Sequence, residues 1–150
     1  MPAESMLYVV DDEADYRFLV NQVFKRSLPQ YAVRFFASGY ELYECILTES
    51  GSFGSGRKEN SLVHPGLILL DLHMPDFSGL QTLTYLKQHL QWRRIPTVIM
   101  SSSLSTEEKG ACYDAGANSF LNKPTELNQL TETMQSVCRY WLEFNRSPKM

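Results

Sequence analysis

Five short apolar runs divide the chain, and most are followed by a stretch whose apolar residues recur at helical spacing. Met6-Leu7-Tyr8-Val9-Val10 ends in three acids, Asp11, Asp12 and Glu13, and reads as a buried strand. Residues 15–28 carry Phe18, Leu19, Val23, Phe24 and Leu28, a helix stopped by Pro29. Residues 31–36 are rich in aromatic and β-branched residues, which predicts a second strand. A turn at Ser38-Gly39 leads to a helix over 40–49, with Leu42, Cys45 and Ile46 on one side. Four aliphatic residues, Leu67 to Leu70, then run into Asp71 and a turn marked by Pro75 and Gly79. An unbroken apolar run of this kind fits a strand buried on both faces. Leu80, Leu83, Leu86 and Leu90 predict a third helix capped by Ser78-Gly79. Pro96 opens the fourth run, Thr97 to Met100, which ends in Ser101-Ser102-Ser103. A small, polar helix over 106–115 is closed by Gly116, and residues 118–122 form a short fifth strand ended by Lys123-Pro124. The last helix, 125–144, carries a stripe of Leu127, Leu130, Met134, Val137, Trp141 and Phe144. Leu127 to Val137 are expected to dock on the sheet. Tyr140, Trp141 and Phe144 are left as a candidate surface for a partner or a second copy.

Strands and helices in strict alternation predict a parallel sheet covered on both faces, an α/β fold. Right-handed crossovers cover both faces only if the strand order reverses once, and that reversal opens a crevice at the carboxyl edge of the sheet. The length, 150 residues, suits one domain spanning 1–150 with its core at about 5–143. The Gly/Ser-rich stretch within 50–64 reads as a flexible surface loop. A net charge of -3 and the absence of a Lys/Arg run argue against a nucleic-acid or membrane-surface binder. No secretory signal and no membrane-length apolar run is seen, and the three cysteines, Cys45, Cys112 and Cys138, have no metal or redox spacing. A cytoplasmic location is expected.

The strand ends carry the chemistry. Strand one ends in Asp11-Asp12, strand three in Asp71, strand four in Ser101 and strand five in Lys123. Clustered carboxylates repel unless a cation neutralises them, and Mg²⁺ suits one or two carboxylates with waters and a phosphate. An amine and a hydroxyl beside them would stabilise phosphoryl oxygens during transfer. The set therefore predicts phosphate carried on a carboxylate. There is no glycine-rich phosphate cradle, so nucleotide binding is not indicated, and no nucleophile–histidine arrangement of a hydrolase.

Asp11-Asp12, the run into Asp71-Leu72-His73-Met74-Pro75-Asp76-Phe77-Ser78-Gly79, Ser101, Asp114-Ala115-Gly116-Ala117 and Lys123-Pro124 together resemble the receiver domain of two-component response regulators. The resemblance implies a flavodoxin-like (βα)5 fold with strand order 2-1-3-4-5. It implies that Asp71 is the phosphoacceptor for a sensor histidine kinase or a His-containing phosphotransfer protein. By the same likeness Asp12 binds Mg²⁺ directly and Asp11 through water, with Asp71 and the backbone carbonyl of His73 completing the ligands. Lys123 would pair with the phosphoryl group, while Ser101 and Phe120 would move as the switch and alter a surface read by a downstream protein. Lys123-Pro124 resembles the family's cis peptide. Position 120 is Phe where many members have Tyr, and position 101 is Ser rather than the commoner Thr. His73 and Ser103 occupy positions that tune phosphate lifetime in the family. The long loop before strand three, and Trp92-Arg93-Arg94-Ile95-Pro96, look like the small receivers that serve bacterial phytochrome kinases.

The expectation is a stand-alone receiver that is not a turnover enzyme. The alternatives are a phosphorylation-independent interaction module on the same fold and a metal-dependent phosphatase. The first is disfavoured because all five site residues are present. The second is disfavoured because His73, not an acid, follows Asp71 by two residues.

Overall fold

The computed structural model describes residues 5–49, 64–103 and 105–148. The expected loop over 50–64 lies outside them except for His64. The elements alternate as β1 (Met6–Val10), α1 (Ala14–Ser27), β2 (Ala32–Phe36), α2 (Gly39–Glu49), β3 (Leu67–Asp71), α3 (Gly79–Gln88), β4 (Thr97–Ser101), α4 (Thr106–Asp114), β5 (Ser119–Asn122) and α5 (Leu127–Cys138). The five strands form one sheet, all pairs parallel, in the order β2-β1-β3-β4-β5. Fold class and strand order are as the sequence and its resemblance imply.

Alternation along the strands sorts the core into two layers. Leu7, Val9, Leu67, Leu69, Val98 and Met100 pack with α1 and α5. Tyr8, Val10, Ile68, Leu70 and Ile99 face the other way, toward Leu42 and Ile46 of α2, Leu83 and Leu86 of α3, and Cys112 of α4. Every residue of β3 and β4 is buried, as expected of central strands covered on both faces.

Several helical readings change in detail. Phe18 is 65% exposed, and Tyr16 is the aromatic that α1 buries. Leu90 lies beyond the end of α3 and is exposed. Leu127, expected to dock, is 52% exposed because it opens α5 beside Phe18, at the mouth of a groove between α1 and α5. The last helix buries Leu130, Met134, Cys138 and Leu142, a step of four rather than the expected alternation of three and four. Arg139–Phe144 is a π-helical turn, whose wider winding brings Leu142 inward and leaves Trp141 half-buried. Tyr140 and Phe144 stay exposed, as the sequence suggested. The Lys123–Pro124 peptide, expected to be cis, is trans, the isomer that X-Pro bonds favour intrinsically.

The amino edge of the sheet holds a polar pocket of its own. Trp92, in a 3₁₀ turn over Trp92–Arg94, is fully buried. Its ring meets His64 edge-on at 4.8 Å, and His64 Nε2 lies 3.0 Å from Glu49 Oε2.

At the carboxyl edge, α3 is tied tightly to the strand that precedes it. Ser78 caps it in a reciprocal box with Gln81, and the Gly79 N–H donates to the Leu72 carbonyl at 2.9 Å. A Cβ on Gly79 would stand 2.3 Å from the Asp71 carbonyl oxygen and 2.6 Å from Leu72 Cα. A Cβ on Gly110, in the middle of α4, would meet nothing within 4 Å. The two alanine variants should therefore diverge in denaturant unfolding. Gly79→Ala is expected to lose about 3 kcal/mol, since backbone must shift, and Gly110→Ala to gain about 0.5–1 kcal/mol from helix propensity.

Candidate functional site

The parallel register gathers the strand-end residues. Val10 pairs with Leu70, so Asp11 and Asp71 leave the sheet side by side. Met100 pairs with Asp71, which sets Ser101 one residue further on, and Ser101 pairs with Asn122, just before Lys123. Asp11, Asp71 and Ser101 are all at most 5% exposed. Asp11, Asp12, Asp71, Ser101 and Lys123 are thus brought to one edge. Phe120, opposite Ile99 in the sheet, is half-buried against the layer formed with α2, α3 and α4. His73 points outward and is more than half exposed.

Lys123 is the cation among these acids. Its ammonium stands 2.8 Å from Asp11 Oδ2, 2.9 Å from Glu13 Oε1 and 3.6 Å from Asp71 Oδ1. It also lies 4.4 Å over the ring of Tyr16, whose hydroxyl donates to the Pro124 carbonyl. Glu13 and Tyr16 were not among the candidate site residues. Their signal was only their place, directly after the acid pair and within the first turn of α1. Asp11 is fixed through its other oxygen, Oδ1, which accepts the Glu13 N–H at 2.9 Å. Its Oδ2 is held by the Lys123 ammonium at 2.8 Å, a contact that Lys123 divides with Glu13 and Asp71.

Three carboxylates share one ammonium, and their electrostatics follow. Burial pushes the Asp71 carboxyl up to about 7, with Asp11 and Asp12 adding to the rise and Lys123 opposing it. Burial also raises Asp11, against its contacts with Lys123 and Glu13 N–H. Burial alone would lower Lys123, but Asp11, Glu13 and Asp71 outweigh it and hold the ammonium above the ordinary lysine range. The negative charge in excess, and one carboxylate oxygen each from Asp11, Asp12 and Asp71 within 4.8 Å of one another, fit a hard divalent cation.

Ser101 is held ready but not spent. Its Oγ accepts the Ser103 N–H at 3.0 Å, and the Ser103 hydroxyl in turn accepts the Ser105 N–H. Among the described residues no acceptor takes the Ser101 hydroxyl proton, which a ligand at the edge can receive.

A raised Asp71 pKa means that the folded chain binds a proton more tightly than the unfolded chain. That stabilisation is present below the unfolded carboxyl value and is lost as pH rises through about 7. In chelator-treated protein, Asp71→Asn should therefore be more stable than wild type, by about 2–4 kcal/mol near pH 8, with the difference closing toward pH 4. Urea melts across that range check it.

Residues 7–135 match the sequence model of the Response regulator receiver domain. The chain is 32% identical over 142 residues to the response regulator Rcp1 of Synechocystis sp., covering 95% of this chain and 91% of Rcp1. The structure of the phosphorylated cyanobacterial phytochrome response regulator RcpA superposes with a TM-score of 0.78 at 25% identity, over 97% of this chain and 99% of that one. The Mn(2+)-bound form of Rcp1 superposes at 0.73 with 28% identity, over 97% and 99% of the two chains. A family match over most of the chain, agreeing with the strand order and the strand-end acids, makes the assignment: this chain belongs to the response regulator receiver family of two-component signal transduction.

Proposed function

We propose that Asp71 accepts a phosphoryl group from a phosphohistidine of a sensor kinase or phosphotransfer protein, and that the change is read at a protein-interaction surface. The observation that carries this is the Asp71 carboxyl itself, 5% exposed at the end of the central strand with an ammonium 3.6 Å from Oδ1. In the transfer, an Asp71 oxygen forms a bond to phosphorus as the bond from phosphorus to the donor imidazole nitrogen breaks, and that nitrogen keeps the electron pair. Lys123 neutralises an oxygen of the arriving group. Ser101, rotating about χ1, donates its hydroxyl proton to another. Phe120 moves with Ser101 and reshapes the surface around β4 and β5.

The donor set suits Mg²⁺, which Asp11, Asp12, Asp71 and the His73 backbone carbonyl would hold. Bound there, Mg²⁺ supplies charge neutralisation for the phosphoryl oxygens. The His73 side chain adjusts how long the phosphoryl group persists. The chain acts as a single receiver domain in the cytoplasm, catalysing only its own phosphorylation and dephosphorylation. Among the described residues no helix is long and apolar enough to cross a membrane. The partners are proteins: the phosphodonor, a downstream target and a second copy of the chain, with no direct role for nucleic acid or membrane. The likeness to a phytochrome response regulator favours a light-sensing kinase as the donor.

Intact mass after incubation with acetyl phosphate and Mg²⁺ tests the proposal. One added phosphoryl group is expected, lost in Asp71→Asn and on chelation, and elution volume before and after reports any change in assembly. No added mass from acetyl phosphate or from candidate kinases would leave a phosphorylation-independent binding module. Ser101→Ala is expected to slow phosphorylation about a hundredfold, the low end for loss of one oxyanion donor, as read by the time course of the mass change.

A further inference from the structure

The helix after the switch serine is weakly anchored. α4 has Gly110 at its middle and no continuous apolar face, and among its described residues it buries Cys112. A helix with so little buried side chain is displaced at small cost. Among the described residues a polar side-chain bridge spans from it to the loop that follows Asp71. His73 Nε2 stands 3.2 Å from Glu108 Oε1 and 3.1 Å from Oε2, joining residues 35 positions apart. Beside this bridge lies a cleft of about 560 Å³ between that loop and α4, with Leu72, Met74, Leu80, Ala111 and Cys112 in its walls.

We propose that Glu108 is a positioning residue for His73: it draws the imidazole toward α4, and a phosphoryl group on Asp71 draws it away, releasing α4 from the loop. The proposal rests on the reading of Asp71 as phosphoacceptor. His73 lies two residues past Asp71, and its Nε2 donates to one anion at a time. Glu108 offers one negative charge at a half-exposed position. A phosphoryl group offers more charge and several acceptor oxygens at the same strand end. Exchange of acceptors breaks the bridge. α4, held then by Cys112 and its cap, is free to shift.

Cys112 is the reporter, because it is fully buried in the wall of the cleft that the bridge flanks. Burial raises its thiol pKa and the Glu108 charge adds to this. His73→Ala leaves that charge in place and so isolates the bridge. Iodoacetamide labelling is followed by peptide mass, with Cys138, buried in the opposite layer, as internal control. Cys112 in His73→Ala should label about two- to fivefold faster than in wild type, the change expected for losing an exposed pair. Wild type brought to one phosphoryl group per chain should label at the His73→Ala rate, and phosphorylating His73→Ala should add nothing. Equal rates for unphosphorylated wild type and His73→Ala would overturn the bridge. Equal acceleration of both proteins by phosphorylation would overturn the exchange. If wild type takes up no phosphoryl group, the reading of Asp71 fails and the exchange with it, while the unphosphorylated pair still decides whether the bridge holds α4.

Discussion

Charge buried at one end of the sheet governs this molecule. Asp11 and Asp71 are withdrawn from water with a single ammonium between them, and that ammonium sits closer to Asp11 than to Asp71. Desolvating a carboxylate is costly unless a partner compensates. Lys123 compensates Asp11 first, and Asp71 is left as the carboxyl that holds its proton to about neutral pH. The same imbalance that strains the fold is what makes the edge receptive to a cation. A second positive group would relieve it and remove the reason for binding a cation.

The two core layers divide the structure mechanically. α1 and α5 cover one face of the sheet and share a continuous layer that runs from Tyr16 to Leu142. α2, α3 and α4 cover the other and are unequally anchored: α3 is capped and closely tied to Leu72, whereas α4 buries Cys112. Tyr40, Tyr43, Phe77 and Tyr85 form a chain of neighbouring rings that braces α2 against α3 and the loop after β3. Change at the carboxyl edge therefore meets a stiff wall on one side and a yielding one on the other.

Sheet order and site were legible because a parallel sheet lines up its strand ends, so that the last residue of each apolar run names a neighbour of the others. Asp11, Asp71, Ser101 and Lys123 could be placed together from their positions alone. What escaped was set by neighbours distant in sequence. Glu13 and Tyr16 reach Lys123 across more than a hundred residues, and Glu108 reaches His73 from another helix. Helical periodicity marked Phe18 and Leu127 as apolar but not that the groove between α1 and α5 leaves both uncovered. Nor did it foresee the π-helical turn that replaces Trp141 with Leu142 in the core. Trp92 sits beside two arginines and outside every apolar run, yet it is wholly buried.

The burial of Trp92 has a spectroscopic side. The chain has two tryptophans, and both stand toward the amino edge: Trp92 against His64, and Trp141 lining a cavity with His64, Pro65 and Gly66. At the acidic edge the ring packed under Lys123 is a tyrosine, Tyr16. Indole emission thus reports on the packing around His64, at the end of the sheet away from Asp71, more than on occupancy of the acidic edge. Light from this protein separates its folding from its signalling by the length of a strand.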